Sequence, residues 1–140
     1  MNNKNYTDLV ESGQYPSDPL VPLDPPFVDE RGSIQNLLNT PICGAAIITS
    51  RAGTTRSNHK HTHDYHFLHV ISGSMLYYER DPDQDGSTII PVLYGPGQMV
   101  FTPPGRVHKT TFPQDCVMLS FSKRNRDHDS HESDLIRVEF

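Results

Sequence analysis

Five of the chain's eight histidines fall between residues 59 and 69: His59, His61, His63, His66 and His69. Imidazole ligates transition metals and titrates near neutral pH. So dense a cluster is a metal site, a pH-sensitive patch or an accident of composition. Spacing narrows the choice. On a strand, side chains at i and i+2 share a face, so His59 and His61 stand side by side, and if that face is inward they form two arms of a chelate. Thr62 to Tyr65 reads as a turn, so His63 need not keep their parity. His66 opens the next apolar run, where His66, Leu68 and Val70 share one face and Phe67, His69 and Ile71 the other. A further histidine, His108, follows a Pro103-Pro104-Gly105 turn, whose stiff backbone would fix its direction of approach.

Elements that could carry these residues are short strands. The β-rich runs are 45–50, 67–72, 74–79, 87–94, 98–102, 108–112 and 116–122, separated by Gly53, Gly73, 81–86, Gly95-Pro96-Gly97, 103–105 and 113–115. Ser33 to Leu38 adds a strand after the turn at Asp29 to Gly32. No apolar helical period is sustained, so the class is all-β, an antiparallel sandwich or barrel. Residues 1–26 hold five prolines, at 16, 19, 22, 25 and 26, which rules out a long helix. They are expected to form an extended arm. Residues 27–123 form the barrel, and 124–140 a polar tail in which "LIRVEF" returns as an edge strand.

These residues resemble the cupin family. Its first motif runs Gly, five residues, His-x-His, three or four residues, Glu, six residues, Gly; here stand Gly53, His59-Lys60-His61, His66 and Gly73. Its second runs Gly, five residues, Pro-x-Gly, two residues, His, three residues, Asn; here stand Gly97, Pro103-Pro104-Gly105, His108 and Phe112. The spacings match over residues 53 to 112. His66 replaces the usual glutamate and Phe112 the usual asparagine. The resemblance implies a double-stranded β-helix, a jelly-roll barrel. It also implies one divalent transition metal per chain on His59, His61 and His108, either with His66 as a fourth ligand or with three ligands and that position unused. All-imidazole ligation suits Zn, Ni, Cu or Fe over Mn. Small cupins resemble one another in forming homodimers with N-terminal strands contributing across the interface.

Around such a site, Tyr65, Tyr77 and Tyr78 are candidate acid/base or orienting hydroxyls, with Tyr94 nearby. Arg51, Arg56, Lys60 and Arg106 are candidates to meet an anionic substrate. His69 is expected in the core or across strands, His63 in an exposed turn, and His128 and His131 in the solvated tail. The leading expectation is a metal-dependent cupin enzyme on a small organic substrate, a dioxygenase or related oxidoreductase, or a Lewis-acid isomerase or lyase. An alternative rests on "DERGSIQNLL", which looks like the opening of cupins that modify nucleotide sugars with a histidine base, often without metal. A third is a non-enzymatic ligand-binding cupin. Net charge is −5 and long basic runs are absent, which excludes a nucleic-acid groove or an anionic membrane surface. No apolar stretch reaches transmembrane length and no secretion signal opens the chain, so the cytoplasm is expected, with Cys43 and Cys116 as free thiols.

Overall fold

The computed structural model describes residues 1–124 and 134–138 of the 140; His128 and His131 lie outside the described residues. Alternating patterns fold into two antiparallel sheets facing each other. One has four strands: β3 (Gly44–Ser50), β10 (Cys116–Ser122), β5 (His66–Ser72) and β8 (Met99–Thr102), in that order. The other has five: β11 (Leu135–Arg137), β4 (Thr55–His61), β9 (Val107–Thr111), β6 (Met75–Arg80) and β7 (Val92–Tyr94). A separate hairpin pairs β1 (Phe27–Asp29) with β2 (Gly32–Ile34). This is the jelly-roll barrel that the cupin resemblance implies.

Alternation along each strand decides what fills the barrel. Leu68 and Val70 of β5 and Met118 of β10 join Met75, Tyr77, Val100 and Phe112 in the interior. Phe67 of β5 points the other way and packs with Phe101, Met99 and Tyr65 on the outer face of the four-stranded sheet. His69 shares that parity, is buried and pairs across to Met99.

A helix, α1 (Asn3–Glu11), seals that outer face, which corrects the expectation of an extended arm. The reason is positional: all five prolines lie after residue 15, leaving the first residues free to coil. The Asn2 side chain accepts from the Asn5 amide at 2.8 Å, capping the first turn. Tyr6 and Val10 meet Phe101 and Phe67 in the outer cluster, while buried Asn3 donates to the carbonyls of Pro22 and Leu37. The proline segment is extended, and it covers the free edge of β8: Val21 N donates to Met99 O at 2.9 Å and Phe101 N to Pro19 O at 2.8 Å. An edge so covered offers no ladder to another chain.

Two further boundaries moved. The run 87–94 holds a 3₁₀ turn, Gly86–Thr88, before β7, because Asp85 caps it through the Ser87 amide. The strand expected at 33–38 ends at Ile34. Among the described residues no helix is long and apolar enough to cross a membrane.

Candidate active site

Between the sheets lies a cavity of about 230 Å³ whose wall includes His59, His61, His66 and His108. All four are buried. β4 supplies His59 and His61, and it does so through a bulge: Ser57 and Asn58 take φ of 70° and 64°, and the register to β9 shifts between Ser57 and His59. A bulge re-aims the side chains that follow it. His59 then stands directly across from His108 on β9, their ring centroids 4.7 Å apart. His61 lies between two rings, 4.4 Å from His66 and 5.3 Å from His108.

Two carboxylates hold these imidazoles. Asp134, 4% exposed, places Oδ2 3.2 Å from His61 Nδ1 and also accepts from the backbone amides of His63 and Asp64, at 2.8 and 3.0 Å. A carboxylate only accepts, so the His61 proton sits on Nδ1 and Nε2 carries the lone pair. Asp64 Oδ2 lies 3.0 Å from His66 Nε2, and Ser120 Oγ lies 3.4 Å from His66 Nδ1. Burial pushes the Asp64 carboxyl up, but hydrogen bonds from His66 and the Arg124 amide bring it below its ordinary value. Burial first, then the neighbouring imidazoles, lowers both His61 and His108 well below an ordinary histidine.

These two depressions carry a stability prediction. An unfolded histidine takes its proton near pH 6.5, whereas the folded imidazoles stay neutral to lower pH. Their contribution is complete above that value and is lost as pH falls toward the folded pKa. Between pH 6.5 and 5.5 the two together should cost about 2 kcal/mol, or about 6 °C of thermal midpoint at roughly 3 °C per kcal/mol. Melting followed by circular dichroism checks this. A flat midpoint over the interval would mean that the folded site takes up these protons.

Other candidates fall in different places. Tyr65 packs in the outer cluster with its ring 5.5 Å from Phe101. Tyr77 is in the interior, but away from the cavity wall, donating to Glu79 Oε1 at 2.8 Å. Tyr78 lies under Lys109, its ring centroid 4.3 Å from Nζ. Of the basic residues, Arg56 reaches the cavity wall, braced by Ser50 Oγ and the Thr49 carbonyl at 2.8 and 2.9 Å. Arg106 pairs with Glu79 and Asp81. Arg51 is exposed, and neither it nor Lys60 lines the cavity. His63 is exposed, as a turn residue should be. The tail contributes more than an edge strand: Asp134 holds His61, and Leu135 and Arg137 line the cavity. No spacing rule reaches Asp134, which is 73 residues from its partner.

His59, His61 and His108 each offer a ring nitrogen within 4.8 Å of the others, and so do His61 and His66 with a carboxylate oxygen of Asp64. The cluster therefore has the spacing for an ion. One held by His59, His61 and His108 would polarise a substrate oxygen.

A two-sheet barrel with a buried histidine cluster between its sheets defines the class. The chain belongs to the cupin family: the cupin domain family matches residues 46–122. No curated protein matches the sequence. Among solved structures it is similar to the 3,4-ketoisomerase QdtA from Thermoanaerobacterium thermosaccharolyticum. A double mutant of QdtA with TDP is 21% identical over 86% of this chain and 85% of that one, at a TM-score of 0.65. Another QdtA variant was solved with TDP-4-keto-6-deoxyglucose. The capsular polysaccharide assembling protein CapF from Staphylococcus aureus is 26% identical over 91% of this chain, which spans only 37% of that protein, at a TM-score of 0.61. The dTDP-4-dehydrorhamnose 3,5-epimerase from Sulfolobus tokodaii is 18% identical over 75% of this chain and 69% of that one, at a TM-score of 0.58.

These likenesses correct the leading expectation. A metal-dependent dioxygenase, or an enzyme using its metal as Lewis acid, is not what they support: sugar ketoisomerases and an epimerase are among the solved enzymes whose fold this chain shares, which favours the nucleotide-sugar alternative taken up below. What stands of the metal is the spacing of the cluster.

Proposed function

We propose that this chain is an isomerase or epimerase of nucleotide-linked keto sugars that works by proton transfer through imidazole. The carrying observation is the buried His61–Asp134 pair at the cavity wall. A neutral imidazole, oriented by a carboxylate on one nitrogen, presents the other as a general base. A carbon beside a carbonyl is the acid it can deprotonate, since the enediolate that forms spreads the charge onto oxygen. Reprotonation at the neighbouring carbon moves the carbonyl, while reprotonation of the same carbon from the opposite face inverts it. Arg56 and Arg137 on the wall supply charge for the phosphates of a nucleotide. The homodimer belongs to this proposal: Phe27, Val28 and Ile34 stand exposed on the β1–β2 hairpin, where a second copy would cover them.

The test uses TDP-4-keto-6-deoxyglucose as probe, with product read by NMR. Turnover is expected to survive exhaustive treatment with EDTA at an unchanged rate. Activity abolished by the chelator and restored by a divalent ion would overturn the reading.

A further inference from the structure

Behind the His61–Asp134 pair stands a second array that a single-base mechanism leaves idle. Asp64, His66 and Ser120 are 2%, 5% and 0% exposed and touch in series. Asp64 Oδ2 is 3.0 Å from His66 Nε2, and His66 Nδ1 is 3.4 Å from Ser120 Oγ. Three separate stretches converge to build it: the turn after β4, the first residue of β5, and the inner face of β10. The carboxylate is fixed at its other oxygen by the amides of Tyr65 and Arg124, at 2.9 and 3.1 Å. Since it can only accept, His66 is protonated on Nε2, and its Nδ1 accepts from the serine hydroxyl. That leaves Ser120, almost wholly buried but among the residues lining the cavity, with oxygen lone pairs that His66 does not use.

We propose that Ser120, backed by His66 and Asp64, is a proton relay for the substrate's oxygens, and that the reaction is therefore transposition of a carbonyl between neighbouring carbons. The inference rests on the nucleotide-sugar reading above. Transposition moves two protons. One leaves the hydroxyl-bearing carbon and is delivered to the former carbonyl carbon, as His61 would carry it. The other leaves the hydroxyl oxygen and ends on the former carbonyl oxygen. No oxidant or reductant is needed, because the carbon that gains the carbonyl loses the hydrogen the other gains. Inversion at a single carbon needs no net transfer between oxygens. A serine hydroxyl exchanges protons readily with oxygen and poorly with carbon, so a built serine relay fits the oxygen step: Ser120 accepts the substrate hydroxyl proton as it passes its own to His66, and the return delivers it to the second oxygen. Geometry agrees with division of labour, since His61 and His66 lie face to face at 4.4 Å on the same cavity.

Ser120→Ala, in the full chain with TDP-4-keto-6-deoxyglucose in D₂O, separates the two steps. Exchange of the hydrogen beside the carbonyl for deuterium should persist within about threefold, while transposition falls at least about a hundredfold, the usual contribution of an acid–base group. Equal loss of both, transposition at the wild-type rate, or a wild-type product that is inverted and not transposed would each overturn the proposal. A substrate-free readout stands beside this: ¹⁵N NMR of His66 should show the Nε2–H form, with the Nδ1 resonance displaced in Ser120→Ala. An Nδ1–H form would overturn the relay whatever the activity. The expected resonances without turnover of the nucleotide sugar by the wild type would uphold the relay and count against the substrate class.

Discussion

His61→Asn is expected to lower turnover of TDP-4-keto-6-deoxyglucose by about 10²- to 10⁴-fold, the range an acid–base group contributes, with TDP affinity unchanged within a few-fold. Asparagine keeps most of the ring's volume and can still meet Asp134, so the loss reports proton transfer and not collapse of the wall. Deuterium exchange beside the carbonyl should fall by the same factor, because the proposed mechanism has His61 act on carbon. Asp134→Asn should fall less, since the imidazole remains and only its orientation and tautomer are released. If His61→Asn exchanged deuterium normally, the base would have to be His59 or His108, whose rings line the same cavity. Calorimetric titration with TDP and NMR of the exchange supply the two readouts.

The order of these effects shows which parts of the site the sequence could disclose. Parity along a strand is a local rule, and it put His59 beside His61, and His66 on the side of Leu68 and Val70. Both placements follow from alternation in the antiparallel ladders. Depth along the barrel is not local. Alternation turns Tyr77 inward, but it packs in the apolar interior with Tyr94 and Met75 and does not line the cavity, with Glu79 taking its hydroxyl. Nor does charge announce its partner: Arg106 meets Glu79 and Asp81, because β9 follows its turn directly and runs beside β6.

Other misses have the same root. The helix over Asn3–Glu11 hides because its buried face carries Asn3 and Thr7 beside Tyr6 and Val10, so the apolar period is half polar. Asn3 is tolerated there through hydrogen bonds to residues 22 and 37 that only the fold brings close. Asp134 reads as one more acid in a charged tail until β11 pairs with β4, Leu135 opposite His61, and carries it to the imidazole. The bulge that aims His59 uses Ser57 and Asn58 in the left-handed region, where no glycine marks the spot. The cupin resemblance of the motifs points to the barrel and the cluster; of the two carboxylates that hold the imidazoles, Asp64 is two residues from His66, whereas Asp134 comes from 73 residues away.

Two glycines of the first motif should respond very differently to alanine. Gly53 and Gly73 both have left-handed backbones, φ +84° and +80°, but a Cβ on Gly53 meets nothing within 4 Å, while one on Gly73 would lie 2.0 Å from the Asp115 carbonyl oxygen. The left-handed conformation alone costs a residue with a Cβ about 1–2 kcal/mol, which is all that Gly53→Ala should show. Gly73→Ala adds an overlap with backbone that has little freedom to yield. Asp115 immediately precedes Cys116, the first residue of β10, and its side chain accepts from the Ala52 amide at 2.8 Å. Overlaps of this kind cost about 1–3 kcal/mol more, so Gly73→Ala should lose about 4 kcal/mol, or about 10–15 °C of thermal midpoint. Thermal melts of the two variants decide the matter: equal losses would mean that backbone conformation alone requires glycine at both positions, and that the close approach at Gly73 relaxes without cost.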